Sequence, residues 1–184
     1  MIPMAASDHP RLIGLTGTNG AGKGEAAAFL TSRGFEYHSL SDVIRDALAA
    51  EGLEPSRDNL IRKGNALRRE GGPDVLARRI VAKIRGRAVI DSIRNPREIE
   101  FLRTQPGFVL IALEAPPAAR FERVAKRGRN ECAPDLAAFL RKEAEENGSD
   151  PDAQQLGRCM ALADRVLIND GTLADLHRKL EELL

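Results

Sequence analysis

The chain contains no tryptophan, and aromatic residues make up only 4% of its 184 positions. Proteins that bind single-stranded nucleic acid without sequence preference stack bases on aromatic side chains, so that class of function is disfavoured. A net charge is missing too. Lys plus Arg number 28 and Asp plus Glu 27, which leaves +1. No global field draws such a chain to nucleic acid or to an anionic membrane. The two cysteines, Cys132 and Cys159, form neither a metal-binding spacing nor a disulfide framework. They read as ordinary thiols in a reducing compartment. No run approaches the roughly 20 apolar residues of a membrane helix. Residues 1–10 lack the basic start and apolar stretch of a signal peptide and read as a loose tail. The expectation is a cytoplasmic protein with no nucleic-acid and no membrane partner. Its length suits one domain over 1–184 and is enough to bury a core.

What is present is organised by one stretch, Gly17-Thr18-Asn19-Gly20-Ala21-Gly22-Lys23-Gly24. Its spacing, G-x-x-x-x-G-K, is that of a phosphate-binding P-loop. The context agrees. Leu12-Ile13-Gly14-Leu15-Thr16 before it reads as a buried strand, and Glu25-Ala26-Ala27-Ala28-Phe29-Leu30 after it as a helix. Glycines let several backbone N–H groups converge on one point. The helix N-terminus adds partial positive charge, and Lys23 a full one. Residues 17–24, with Glu25, are the candidate ATP-binding segment. The usual Ser or Thr after the lysine, whose hydroxyl meets Mg²⁺, is replaced here by Gly24.

In chain order the pattern predicts a strand over 11–16, a helix over 23–32 ending at Arg33-Gly34, and a strand from Phe35 to Ser39. A helix follows with Ser41 as its N-cap and Val43, Ile44, Ala47 and Leu48 on one face. Residues 56–84 read as two helices, the first capped by Ser56, the second with Pro73 in its first turn. Further strands fall at 88–91, 108–113 and 166–168. Between and after them, helices fall at 96–105, 116–127, 135–146, 151–163 and 172–184. Five short apolar strands separated by helices imply an α/β fold, a five-stranded parallel sheet with helices on both faces. Ligands in such folds bind at the carboxyl ends of the strands. Each polar cluster falls just after a strand.

After the second strand come Ser41, Asp42 and Arg45, the last two sharing a helix face, as a candidate second ligand site. After the third come Asp91, placed to hold Mg²⁺ or its water shell, and Arg94 and Arg97, able to clamp a phosphate. After the fourth, Arg120, Arg123 and Arg127 line one helix face. Such arginines neutralise charge on a phosphoryl group in transfer, or pack against acidic neighbours. Kinases for small acceptors also exclude water. Residues 128–150 read as the lid and about 40–84 as a helical acceptor-binding arm.

Gly17-x-x-Gly20-x-Gly22-Lys23-Gly24 resembles the P-loop of adenylate kinases, in which glycine also follows the lysine. Ser39-Leu40-Ser41-Asp42-Val43-Ile44-Arg45 looks like their segment after strand two, where the arginine holds the acceptor phosphate. Arg123-Val-Ala-Lys-Arg127-Gly-Arg129 looks like their lid-entry arginines. Those enzymes usually carry Thr at the position of Glu25, and Asp-Gly-Phe-Pro-Arg after strand three. Asp91-Ser-Ile-Arg94-Asn-Pro-Arg-Glu98 looks closer to phage deoxynucleoside monophosphate kinases and to archaeal proteins related to adenylate kinase. Dephospho-coenzyme A kinases share the architecture and the opening Ile-Gly-Leu-Thr-Gly. The resemblance implies a kinase moving the γ-phosphoryl of ATP, with Mg²⁺, onto a nucleoside or deoxynucleoside monophosphate. Lys23, Arg94, Arg123 and Arg127 would act on the transferring group, and Ser41, Asp42, Arg45 and Arg94 would bind the acceptor. Another small acceptor, dephospho-coenzyme A first, is the alternative. A nucleotide-binding sensor with little catalysis is the third reading, motivated by a carboxylate, Glu25, beside the phosphates.

Overall fold

A computed structural model describes residues 11–127, 133–145 and 154–184. Its centre is strand β1, Leu12–Gly17, in which every residue is buried. Four further strands flank it: β2 (Glu36–Ser39), β3 (Ala88–Asp91), β4 (Phe108–Glu114) and β5 (Arg165–Ile168). The order across the sheet is β2-β3-β1-β4-β5, and every neighbouring pair runs parallel. The chain therefore winds away from β1 first to one side and then to the other. That reversal opens a crevice at the carboxyl edge, between the loops after β1 and β3.

Nine helices lie among the described residues: α1 (Lys23–Ser32), α2 (Leu40–Ala50), α3 (Arg57–Gly71), α4 (Val75–Val81), α5 (Pro96–Leu102), α6 (Pro117–Lys126), α7 (Leu136–Glu145), α8 (Leu156–Ala161) and α9 (Leu173–Glu181). Strand side chains alternate between the two faces of the sheet. Ile13, Leu15, Val89, Ile111 and Leu113 meet Ala26, Phe29 and Leu30 of α1 and Leu176 and Leu180 of α9. On the other face, Ile90 and Leu110 meet Leu48 of α2, Leu76 and Ile80 of α4 and Ile99 of α5. Burying each such side chain stabilises the fold by about 1.5–3 kcal/mol. Truncating fully buried Leu15 to Ala costs about 2–5 kcal/mol.

The sheet and the helices on both faces match the sequence reading, and most boundaries agree within two residues. Some ends differ. The N-cap of α2 is Ser39, not Ser41: the Ser39 hydroxyl accepts from the Ser41 amide, and the helix begins at Leu40. Pro73 precedes α4 rather than opening it, because Asp74 takes the N-cap position. Helix α5 stops at Leu102, three residues early, where amides of 103–105 turn back to carbonyls of the last turn. The tail 1–10, Cys132, Arg129 and positions 128–132 and 146–153 of the expected lid and helix lie outside the described residues. No helix among the described residues is long and apolar enough to cross a membrane.

Candidate active site

The loop from Gly17 to Gly22 joins β1 to α1 at the centre of the carboxyl edge. Three of its glycines are required by geometry. Gly17, Gly20 and Gly22 have φ of 137°, 78° and 108°, values that side chains disfavour. Added Cβ atoms would also collide: at Gly17 with the Leu113 carbonyl oxygen at 2.2 Å, at Gly20 with that of Arg120 at 2.6 Å, and at Gly22 with Asn169 Nδ2 at 2.4 Å. Asn169 supports the loop from beneath, donating from Nδ2 to the Ala21 carbonyl at 2.9 Å. Gly24 is different: a Cβ there meets nothing within 4 Å. No packing contact accounts for the missing hydroxyl.

Lys23 is the first residue of α1. Its Nζ donates to the carbonyls of Gly17 at 2.6 Å and Thr18 at 2.9 Å, which folds the side chain back over the loop. Burial, and then the Arg94 guanidinium, push its ammonium down to about 8, while Asp91 pulls the other way. A lysine so perturbed beside a loop of amides gains a natural counter-charge from a polyphosphate.

The loop forms one wall of a cavity of about 780 Å³. Its lining includes Asn19, Gly20, Gly22, Lys23 and Gly24 from the loop and the start of α1, and Asp91, Ser92 and Arg94 from the segment after β3. Tyr37 and Ser39 of β2, Ser41, Ile44 and Arg45 of α2, and Arg57, Leu60, Ile61 and Arg68 of α3 line the opposite half. Arg127 and Gln154 complete the rim. Among the described residues the wall carries six cations, Lys23 and five arginines, against one acid, Asp91. That balance suits polyanionic ligands and leaves one carboxylate for a cation.

Ser92 is the one non-glycine among the described residues with positive φ, 66°. It occupies the position of the glycine in the adenylate-kinase motif. Its amide donates to Asp91 Oδ1 at 2.6 Å and its hydroxyl meets Ser39 Oγ at 3.3 Å. Strained backbone of this kind gathers at functional sites. Burial, and then the charge of Asp91, push the Tyr37 phenol up. Outside the wall, burial pushes the Cys159 thiol up to about 12, so it stays protonated and inert.

Comparison with known proteins covers nearly the whole chain. A UPF0200 protein of Sulfurisphaera tokodaii is 33% identical over 176 residues, 95% of this chain and 96% of that protein. The chain belongs to the UPF0200 family. A second UPF0200 protein, from Methanothrix thermoacetophila, is 33% identical over 180 residues, 95% of this chain and 96% of its own. The AAA domain family matches residues 13–153. Among solved structures, TT1252 from Thermus thermophilus aligns with TM-score 0.60 at 24% identity, covering 95% of this chain and 96% of that one. Shikimate kinase from Acinetobacter baumannii in complex with shikimate aligns with TM-score 0.58 at 19% identity, over 95% and 92%. A gluconokinase from Sinorhizobium meliloti aligns with TM-score 0.53 at 17% identity, over 93% and 89%. At these identities the likeness is one of fold, and the fold of the UPF0200 chain is that of P-loop kinases.

Most of the residues singled out in the sequence converge on the UPF0200 cavity. Asn19, Gly20, Gly22, Lys23, Gly24, Ser41, Arg45, Asp91, Arg94 and Arg127 all line it. Gly17, Thr18 and Ala21 shape the loop from outside the lining. Asp42 is exposed and pairs with Arg45 at 3.0 Å. Glu25 is exposed in the first turn of α1, where a negative charge favours the helix, and is not part of the wall. Arg123 sits behind the loop, donating to the carbonyls of Gly20 at 3.3 Å and Asn169 at 3.2 Å. Its place is that of a brace. Arg120 is packed against an acid, forked onto Glu143 at 2.6 and 2.9 Å. Arg97 is a surface residue paired with Glu100. Sequence reasoning passed over Tyr37, Arg57, Arg68, Ser92, Gln154 and Asn169. Arg57, Ile61 and Arg68, at spacings of four and seven, share one face of α3, a signal that could have found them.

Proposed function

We propose that this protein is an ATP-dependent phosphotransferase acting on a nucleoside or deoxynucleoside monophosphate. The observation that carries the reading is the continuous cavity. It joins a polyphosphate-shaped loop and Lys23 to a second half bearing Ser41, Arg45 and Arg94. In this reading the loop amides and Lys23 hold the β- and γ-phosphates of ATP. Arg45 and Arg94 hold the acceptor phosphate and aim one of its oxygens at the γ-phosphorus. That oxygen forms the new P–O bond as the bond to the β–γ bridging oxygen breaks, and the electron pair leaves on ADP. Arg94 and Arg127 neutralise charge as it shifts, which positioned donors do most effectively in a water-poor site. Arg123 keeps the loop in place through the Gly20 carbonyl.

The residues present fit Mg²⁺ delivered on the nucleotide. That ion commonly keeps several waters and takes one or two carboxylates plus phosphate oxygens. Asp91 would hold it, directly or through water, and the ion would supply charge neutralisation on the β- and γ-oxygens. Helices α2 to α4 act as the acceptor-binding arm. The case for a non-catalytic sensor rested on a carboxylate beside the phosphates, and Glu25 is exposed and away from the wall.

The test is an ADP-release assay over ribo- and deoxyribonucleoside monophosphates and dephospho-coenzyme A. Acceptor-stimulated turnover with at least one monophosphate is expected. Turnover with dephospho-coenzyme A alone would transfer the assignment to that acceptor. Tight ATP binding with no transfer to any of them would sink the phosphotransferase reading.

A further inference from the structure

Arg68 has no part in the proposed transfer, yet it is the most deeply buried of the cations in the cavity wall. It is 3% exposed, and its partner Glu98 is 0% exposed. Nε and Nη2 of Arg68 donate to Glu98 Oε1 at 3.0 and 2.8 Å. The other oxygen of Glu98 accepts from the amides of Arg94 and Asn95, both at 3.0 Å. Glu98 is therefore saturated, and it ties α3 to the segment that carries Arg94. The third guanidinium nitrogen, Nη1, makes no hydrogen bond among the described residues, and Arg68 opens onto the cavity. A Cβ placed on Gly64 would lie 2.9 Å from Ile44 Cδ1 and 3.5 Å from Nη1. Nη1 thus lies near Ile44, which lines the same cavity.

Two chemical facts decide what such a group recognises. A guanidinium only donates hydrogen bonds and stays protonated. Its charge here is balanced by a carboxylate at hydrogen-bonding distance, so it offers donors with little net field. A donor whose charge is already balanced by Glu98 suits the edge of a flat ring better than it suits a phosphate. Guanine carries oxygen O6 where adenine carries an amino group, and thymine and uracil carry O4 where cytosine carries one. A buried donor satisfies the oxygen and clashes with the amine.

We infer that Arg68, positioned by Glu98, reads the base of the acceptor and selects bases with an oxygen at purine position 6 or pyrimidine position 4 over bases with an amino group there. The inference rests on the monophosphate reading above and goes beyond it by naming the acceptor class. GMP, UMP and dTMP should be better acceptors than AMP and CMP.

The experiment compares kcat/KM for those five monophosphates at saturating ATP. The oxo-bearing class should exceed the amino-bearing class by about tenfold or more. A double variant, Arg68→Met with Glu98→Gln, removes the ion pair without stranding a buried charge. It also keeps an oxygen for the two amides. Its preference between the classes should vanish while the KM for ATP holds, with Tm lowered by only several degrees, the cost of one buried amide left without an acceptor. Equal use of all five by the natural protein, preference for AMP or CMP, or a folded double variant that keeps the preference would each overturn the role of Arg68. Should the double variant not fold, the natural protein's own ranking still decides. Failure of every monophosphate to accept phosphate would instead remove the underlying assignment.

Discussion

On the proposed donor side the cavity is walled by the loop from Asn19 to Gly22, whose main-chain shape follows from glycines that nothing else can replace. On the proposed acceptor side the wall is drawn from β2, α2, α3 and α4, through Tyr37, Ser41, Arg45, Arg68 and Leu76. Under the proposed function, the first construction would hold a polyphosphate and be indifferent to what lies beyond it. The second would carry the recognition, because a side chain can change without disturbing the sheet. Donor chemistry would then be common to the fold, and acceptor chemistry particular to the chain.

This contrast can be broken at several points. The largest effect is expected from Lys23→Met, which should lower turnover by about 10²- to 10³-fold or more with Tm nearly unchanged. Retained turnover would show that the loop is not the donor site. Next, Gly20→Ala forces a side chain into a left-handed position and against the Arg120 carbonyl. It should cost about 1–3 kcal/mol of stability and raise the KM for ATP. An unchanged Tm would mean that the main chain is less constrained than its geometry implies. Arg45→Ala should raise the acceptor KM about tenfold or more and leave the ATP KM alone, as loss of a charge-assisted bond predicts. An equal effect on both substrates would dissolve the division into halves.

The Lys23 ammonium supplies a pH test. Its folded value of about 8 lies below the usual 10.5, so burial disfavours its charged form. That penalty on folding is fully present below pH 8 and fades as pH rises towards 10.5. Bound phosphate favours the charged form. ATP affinity should therefore be level below pH 8 and fall above it, and binding near pH 9 should take up a proton. Calorimetry in buffers of different ionisation enthalpy measures this, and binding without proton uptake at pH 9 would contradict it. The smallest effect belongs to Gly24→Ser. With nothing within 4 Å of the new Cβ, stability should move by no more than about 0.5 kcal/mol. The restored hydroxyl should lower the Mg²⁺ concentration needed for half-maximal rate, and a large loss of Tm would expose a hidden packing role for Gly24.

The same division explains what could be seen in the sequence. Gly17, Gly20, Gly22 and Lys23 are legible because backbone geometry demands those residues at those intervals, and the apolar strands because a parallel sheet is buried on both faces. The proposed acceptor half was legible only where it sits close to a strand end, as with Ser41, Arg45 and Arg94. Arg68 and Glu98 meet across 30 positions of chain, so no local pattern joins them. Asn169 reaches the Ala21 carbonyl across 148. Arg123 and Arg127 look alike on paper; four residues of helix turn one towards the loop's carbonyls and leave the other on the cavity rim. Charge alone does not distinguish a brace from a ligand.

Tyr37 is the chain's sole tyrosine, and the chain has no tryptophan. Near-ultraviolet emission from this protein therefore comes from a single tyrosine ring, which lies 47% exposed in the wall of the acceptor half, under the influence of Asp91. The unlabelled molecule is its own spectroscopic gauge. Colourless anions such as inorganic phosphate that enter beside that ring should alter its emission, whereas events confined to the far side of the sheet should leave it unchanged.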